Sequence, residues 1–236
     1  LNLLNTLEKL HFLHRAFRYR YRSEKFSVQY MLSRLSKGDT VFDIGANRGL
    51  YSYWMARAVG DSGKVFSFEP QKEMQAQLRA MKESFRLPMV EVVPNGLSTE
   101  PGTLTMKRPE YNWGGASIEA REHTCKMDVF EVDVIRLDDF VEERGIRNVS
   151  FVKCDVEGHE LKVFQGAEKF LKLQQPVLLF ECDDADDPDC AVFAYLKEIG
   201  YRGYCFHNGL SPIEEYVKLK SELDPKAVKD FVFLFR

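Results

Sequence analysis

The sequence predicts an α/β fold, a mostly parallel, doubly wound sheet of seven strands preceded by a helical extension. Three observations carry this. From Thr40 onward, short apolar runs alternate with helix-period segments, the signature of repeated β-α-β units. The first run, Val41-Phe42-Asp43-Ile44, opens onto a glycine-bearing turn, Gly45-Ala46-Asn47-Arg48-Gly49. Polar or acidic residues then close successive strands: Asp43, Glu69, Asn95, Asp155 and Glu181. In such sheets ligands bind beyond the carboxyl ends of the strands, where these residues fall.

The elements follow in order. Leu4, Leu7, Leu10, Leu13 or His14, Phe17 and Tyr21 recur at three- and four-residue steps, which predicts an amphipathic helix. A second helix over 28–35 stops at Lys37-Gly38-Asp39. Strands are expected at 40–44, 64–68, 90–94, 149–154, 177–180, 201–206 and 231–235. Helices are expected at 50–59, 71–85, 137–144, 161–171 and 190–199. Two additional strands, 103–106 and 129–135, flank a polar loop at 111–126 that carries Trp113, Gly114, Gly115 and Ser117. A loop of that length in a compact domain points to a binding role, here shaping an acceptor pocket. The organisation is a basic helical extension, 1–37, and one domain, 38–236.

Composition narrows the class. The 236 residues suffice for one sizeable core, and no apolar stretch approaches a membrane span or a signal-peptide core. The five cysteines form no Cys-x-x-Cys pair and no zinc spacing, so reduced packing cysteines and a cytoplasmic location are expected. No metal is assigned, since the acidic run Glu181, Asp183, Asp184, Asp186 and Asp187 matches no cation loop. Residues 1–37 hold eight Lys or Arg against Glu8 and Glu24, a net of +6, which leaves −9 for the rest of a chain whose total is −3. A basic arm on an acidic body suits contact with an anionic surface or acidic substrate, or a solvated helix face pairing with its own body.

The chemistry begins at the first turn. Glu69, closing Phe66-Ser67-Phe68 about 20 residues past the glycine loop, stands where a Rossmann-type unit grips a ribose diol. The loop is nevertheless Gly-x-x-x-Gly, and Asp43 just before it would repel a pyrophosphate. A ribose-bearing cation fits better, and S-adenosylmethionine has a ribose diol, an ammonium and a sulfonium. Gly45 lets the backbone approach the ligand, Asn47 offers an amide, and Gly49 lets the next helix pack. Asn95 either reads an adenine edge or turns the chain before Gly96. Further on, Asp155 closes a strand and His159 opens the next helix, a doublet suited to a general base beside a reacting methyl. Glu157 and Glu160 read equally well as a helix N-terminus.

Together these residues resemble the FkbM family of S-adenosylmethionine-dependent methyltransferases. The resemblance runs from Phe42-Asp43-Ile44-Gly45-Ala46-Asn47-Arg48-Gly49 through Phe68-Glu69-Pro70, Asn95-Gly96-Leu97-Ser98 and Leu137-Asp138-Asp139. It continues through Lys153-Cys154-Asp155-Val156-Glu157-Gly158-His159-Glu160 to Phe231-Val232-Phe233. It implies a class I methyltransferase fold, with Asp43, Gly45, Asn47, Gly49, Glu69 and Asn95 around S-adenosylmethionine. It also implies methylation of an oxygen, often a hydroxyl of a sugar or polyketide-type small molecule or glycan; the acidic body and the lack of an Asn-Pro-Pro-Tyr-type tetrapeptide after the fourth strand argue against a nucleic-acid acceptor. Asp155 and His159 are the expected catalytic pair, with His159 as the base and Asp155 orienting it or acting directly. The alternatives are an NAD-dependent oxidoreductase on a related fold and a non-catalytic module binding through the basic helix.

Overall fold

The computed structural model describes residues 3–110, 116–119, 126–182, 190–207, 209–219, 222 and 229–236. Trp113, Gly114, Gly115, His123, Cys125, Asp183, Asp184, Asp186 and Asp187 lie outside the described residues.

The chain runs α1 (Thr6–Arg18), a π turn (Tyr19–Ser23), α2 (Lys25–Arg34), β1 (Thr40–Ile44), α3 (Leu50–Val59), β2 (Lys64–Phe68), α4 (Lys72–Ser84), β3 (Val90–Val93) and β4 (Gly96–Leu97). A long hairpin follows, β5 (Gly102–Pro109) and β6 (Met127–Ile135), then α5 (Leu137–Glu143), β7 (Val149–Cys154), α6 (Glu160–Gln165), α7 (Glu168–Gln174) and β8 (Val177–Glu181). The chain closes with α8 (Ala191–Glu198), β9 (Tyr201–Phe206), β10 (Leu210–Pro212), α9 (Tyr216–Leu219) and β11 (Asp230–Phe235).

The main sheet has the order β10-β9-β11-β8-β7-β1-β2-β3. β3, β2, β1, β7 and β8 pair in parallel, whereas β11 runs antiparallel between β8 and β9. These seven strands are the predicted doubly wound sheet, and β10 adds a short eighth at one edge. β4, β6 and β5 form a separate small sheet beside it.

Strand residues alternate between two cores because both faces are covered. Phe42, Phe68, Val152, Phe180 and Phe233 point to the side holding α5 to α8. Val41, Val65, Phe151, Leu179 and Val232 point to the side holding α1, α2 and α3. The basic extension is therefore part of the second core: Ala16, Val28 and Met31 are fully buried, and the Trp54 indole N–H donates to the Ala16 carbonyl at 3.0 Å.

Two elements differ from the sequence expectation. The helix foreseen over 161–171 is broken at Gly166-Ala167 into α6 and α7. The carbonyl oxygen of Ser98 lies 2.1 Å from where a Gly166 Cβ would stand, so the chain must bend there without a side chain. The Asp138 carboxylate then accepts from the N–H groups of Lys169 and Phe170, at 3.2 and 2.8 Å, and so holds the first turn of α7. At the other end of the chain, α1 passes into a π turn in which the Glu24 N–H donates to the Tyr19 carbonyl at 3.0 Å. The wider turn carries Tyr19 and Glu24 to the sheet's carboxyl edge; π turns recur at functional sites. Among the described residues, no helix is long and apolar enough to cross a membrane.

Candidate active site

A cavity of about 520 Å³ lies over the carboxyl ends of β1, β2 and β7, in the size range of small-molecule sites. It contains seven of the eight residues singled out in the sequence: Asp43, Gly45, Asn47, Glu69, Asn95, Asp155 and His159. Gly49 stands behind it, against Leu78 and Met81 of α4, where it allows helix packing rather than ligand contact.

Glu69 is buried, and backbone amides hold both of its carboxylate oxygens. The Asn47 N–H donates to one and the Gln71 N–H to the other, each at 2.8 Å. Burial raises its pKa to about 7 against the opposing pull of these hydrogen bonds. Asn47 reaches this position through a left-handed backbone, φ +49°. Its amide, rather than its side chain, makes the contact.

Gly45 is needed for a different reason from the one the sequence suggested. A Cβ there would lie 1.9 Å from the carbonyl oxygen of Asp155, and φ is +74°. The close approach is therefore made by the β7–α6 loop, which the Asp155 N–H also ties to the Ile44 carbonyl at 3.0 Å. The glycine loop and the Asp155 loop are locked together.

Asp43 is buried between Ser67 of β2 and Lys153 of β7 in sheet register, and it accepts from Ser52 of α3. Burial raises its pKa to about 6, with the Ser52 hydrogen bond and the Lys153 charge opposing. The carboxylate thus supplies negative potential through a fixed network, not as a loose side chain.

The other end of the cavity is a charge cluster built from distant elements. Lys153 is buried, and its ammonium pairs with Asp155 at 3.0 Å and lies 4.9 Å from the Tyr51 ring centroid. Burial lowers its pKa, but Asp155, Asp230 and Asp43 more than reverse this and keep it protonated. Around it stand Glu24, whose pKa burial and Asp230 push up to about 7, and Glu181, which burial and Asp155 push up to about 8. Asp230, buried at the start of β11, accepts from the Ser27 hydroxyl of α2, and burial raises its pKa as well. The Tyr51 hydroxyl donates to Glu24 at 3.3 Å. Among the described residues, carboxyl groups outnumber the buried Lys153 ammonium here, so a bound cation would draw them into the ionised form.

Asp155 and His159 are close in sequence but do not form the expected pair. Asp155 is committed to Lys153, with 38% of its side chain exposed to the cavity. His159 is 1% exposed; its Nδ1 lies 2.6 Å from Glu119 and its Nε2 3.1 Å from the Ser98 hydroxyl. Glu119, not Asp155, orients the ring, and both ring nitrogens are occupied. Burial lowers the His159 pKa despite the Glu119 carboxylate, which favours the neutral ring. Glu160 accepts from the N–H groups of Val156 and Gly158, at 3.1 and 3.3 Å, as a helix-start residue does.

The loop expected to shape the pocket contributes through its described part. Ala116 and Ile118 line the cavity, and the Ser117 hydroxyl donates to the Glu157 carbonyl at 2.7 Å. Arg15, Tyr19, Glu24, Arg48, Lys153 and Asp230 also line the cavity and were given no role from sequence. For Lys153 a signal existed, since a lysine inside an apolar strand run must find a carboxylate partner. For the others, the fold alone brings them in.

The sheet order with its reversed last strand, and the cavity over the carboxyl ends of β1, β2 and β7, define a Rossmann-like fold of the class I methyltransferase type. The model of the methyltransferase FkbM domain matches residues 43–202, and the chain belongs to that family. It is similar to the hexuronic acid methyltransferase AglP of Haloferax volcanii, 28% identical over 153 residues, covering 64% of this chain and 59% of that protein. It is also similar to the 31-O-demethyl-FK506 methyltransferase FkbM of Streptomyces tacrolimicus, 28% identical over 196 residues, covering 71% of this chain and 74% of that protein. In structure it resembles a methyltransferase FkbM from Methylobacillus flagellatus KT, with a TM-score of 0.58 at 16% identity, covering 85% of this chain and 44% of that one. The chain thus spans about three-fifths of AglP and less than half of the Methylobacillus protein. Family membership leaves the nicotinamide alternative without support.

Proposed function

We propose that this chain is an S-adenosylmethionine-dependent O-methyltransferase acting on a hydroxyl of a small molecule or glycan. The observation that carries the reading is Glu69. It is a buried carboxylate presented by two backbone amides, and it shares one cavity with Asp43 and Asp155. A ribose diol can donate to the remaining lone pairs of Glu69, and Asn95 at the β3 end suits an adenine edge. The excess of carboxylates over cations favours a positively charged ligand. The AglP and FkbM names, a hexuronic acid and a demethylated hydroxyl, support an oxygen acceptor.

S-adenosylmethionine bound there would supply an electrophilic methyl group on sulfur. The residues of the chain supply position and a proton path. Asp155, at the β7 end and open to the cavity, accepts the hydroxyl proton as the acceptor oxygen is methylated. Lys153 holds that carboxylate in place. His159, clamped between Glu119 and Ser98, is a positioning residue that fixes the 155–159 loop.

Isothermal titration with S-adenosylmethionine and S-adenosylhomocysteine tests the cofactor, and micromolar binding of both is expected. Asp155→Asn should then lower kcat at least ~100-fold with cofactor affinity retained. Loss of cofactor binding in that variant would move Asp155 out of the proton path. His159→Gln should lower kcat less and leave the pH profile of kcat/KM in place. A profile that loses a limb would instead make His159 the base.

A further inference from the structure

Outside the cavity just described, the most informative surface is the seam between α1 and the body. A groove of about 500 Å³ runs there, with Leu4, Leu7 and Phe12 of the extension and Leu50 of α3 as apolar walls. Arg15 and Arg48 line both this groove and the 520 Å³ cavity, so the two spaces meet at a pair of guanidiniums. Both are half-buried, and neither forms an ion pair or side-chain hydrogen bond among the described residues. Burial and the neighbouring Arg15 charge lower the Arg48 pKa, as expected for two like charges left without an anion. Glu8, also on the groove, is engaged in capping α1, where it accepts from the Asn5 N–H at 2.8 Å.

The outer face of α1 continues the pattern. Leu7 and Leu10 of α1, with Leu3 before it and Tyr21 in the π turn, are exposed, Leu7 at 78%, and Phe17 is half exposed at the edge of Trp54, although the inner face of the same helix is packed on α3. The extension carries its +6 charge beside this apolar row. An apolar row flanked by Lys and Arg is the pattern of a helix that meets anionic amphiphiles.

We infer that Arg15 and Arg48 form an oxyanion subsite at the inner end of an apolar groove. The acceptor is then an anionic amphiphile, with its acidic group on the arginine pair and its apolar tail along α1. Guanidinium pairs hold phosphate or carboxylate through bidentate hydrogen bonds, and the pair lines the same cavity as Asp155, toward which the accepting hydroxyl must point. The inference rests on the methyl-transfer reading for the role of the ligand but not for its binding.

Titration of the full chain, saturated with S-adenosylhomocysteine, with octyl phosphate, inorganic phosphate and octyl glucoside tests it. Octyl phosphate should bind at least tenfold tighter than either of the other two. Arg15→Ala and Arg48→Ala should each weaken it about tenfold, the size of one charge-assisted contact. Leu7→Asp should weaken octyl phosphate while S-adenosylhomocysteine binds as before, which also reports a folded chain. Equal binding of octyl phosphate and inorganic phosphate overturns the tail groove. Unchanged octyl phosphate affinity in the arginine variants overturns the subsite. Arginine variants that lose S-adenosylhomocysteine but keep 5′-methylthioadenosine assign the pair to the cofactor's carboxylate and overturn the acceptor role. If octyl phosphate binds as expected to a folded chain that takes no S-adenosylhomocysteine, the methyl-transfer reading fails and the subsite stands.

Discussion

The two ends of the cavity are built in opposite ways. The end at β1 and β2 is local: Asp43, Gly45, Asn47 and Glu69 belong to one β-α-β unit, and backbone amides or a neighbouring serine satisfy each carboxylate. The end at β7, β8 and β11 is assembled from remote pieces, with Glu24, Asp155, Glu181 and Asp230 around the buried ammonium of Lys153. The first end is held by fixed hydrogen bonds, as a site for one invariant ligand should be. Carboxyl groups titrate near neutrality at both ends, but at the second they crowd around one ammonium and repel one another, so its charge depends on what is bound. One protein thus keeps a fixed grip and an adjustable one side by side.

Three changes probe that contrast, in falling order of effect. Gly45→Ala should be the most damaging, because it strikes the lock between the ends: the new methyl meets the Asp155 carbonyl and the backbone is left-handed. A loss of more than about 3 kcal/mol is expected, read as a collapse of the denaturant midpoint. If the midpoint holds, the ends are not coupled through this turn. Next, Glu69→Ala should weaken S-adenosylhomocysteine by roughly 10–100-fold, or ~1.5–3 kcal/mol, with little change in fold. An unchanged dissociation constant by calorimetry would remove the ribose assignment.

The smallest effect is a pH dependence, to which Glu69 adds at the first end and Glu24 and Glu181 at the second. Glu24 and Glu181 have folded-state pKa values near 7 and 8, raised from 4.5. A raised carboxyl pKa means that the folded state holds protons the unfolded chain has released. Stability is therefore greatest below the unfolded value and falls as pH rises through about 7 to 8. Glu181 is partly exposed and solvent screens it, so about 2–4 °C in Tm between pH 6 and 8.5 is expected, the equivalent of ~1 kcal/mol. Glu181→Gln should flatten that slope, and an identical slope in the variant would place the titration elsewhere.

The same contrast explains what the sequence made legible. β1, α3, β2, β7 and β9 have the bounds the apolar runs predicted, because short buried strands between turn residues leave little freedom. The strand-end acids were readable since a doubly wound sheet puts all such ends on one edge. Of the second end, only Asp155 and Glu181 were. Helical periodicity identified α1 but could not reveal that a π turn would swing Tyr19 and Glu24 over the sheet. Nor could the spacing of Asp155 and His159 show that the ring is clamped by Ser98 and Glu119, residues from the strand β4 region and the hairpin loop. The glycine at 45 was correctly marked as a close approach, but the approaching group is protein.

The position of β11 has a consequence for how the chain folds as it is made. Every strand it pairs with precedes it in sequence, yet it fills the slot between β8 and β9, and its first residue, Asp230, meets Ser27 across 203 positions. A nascent chain cannot finish the cavity from front to back. Until β11 arrives, β8 and β9 each offer an open edge to any strand nearby. A chain lacking β11 would therefore carry both an incomplete charge cluster and two templates for aggregation, and cells making this protein have reason to shield it until β11 is in place.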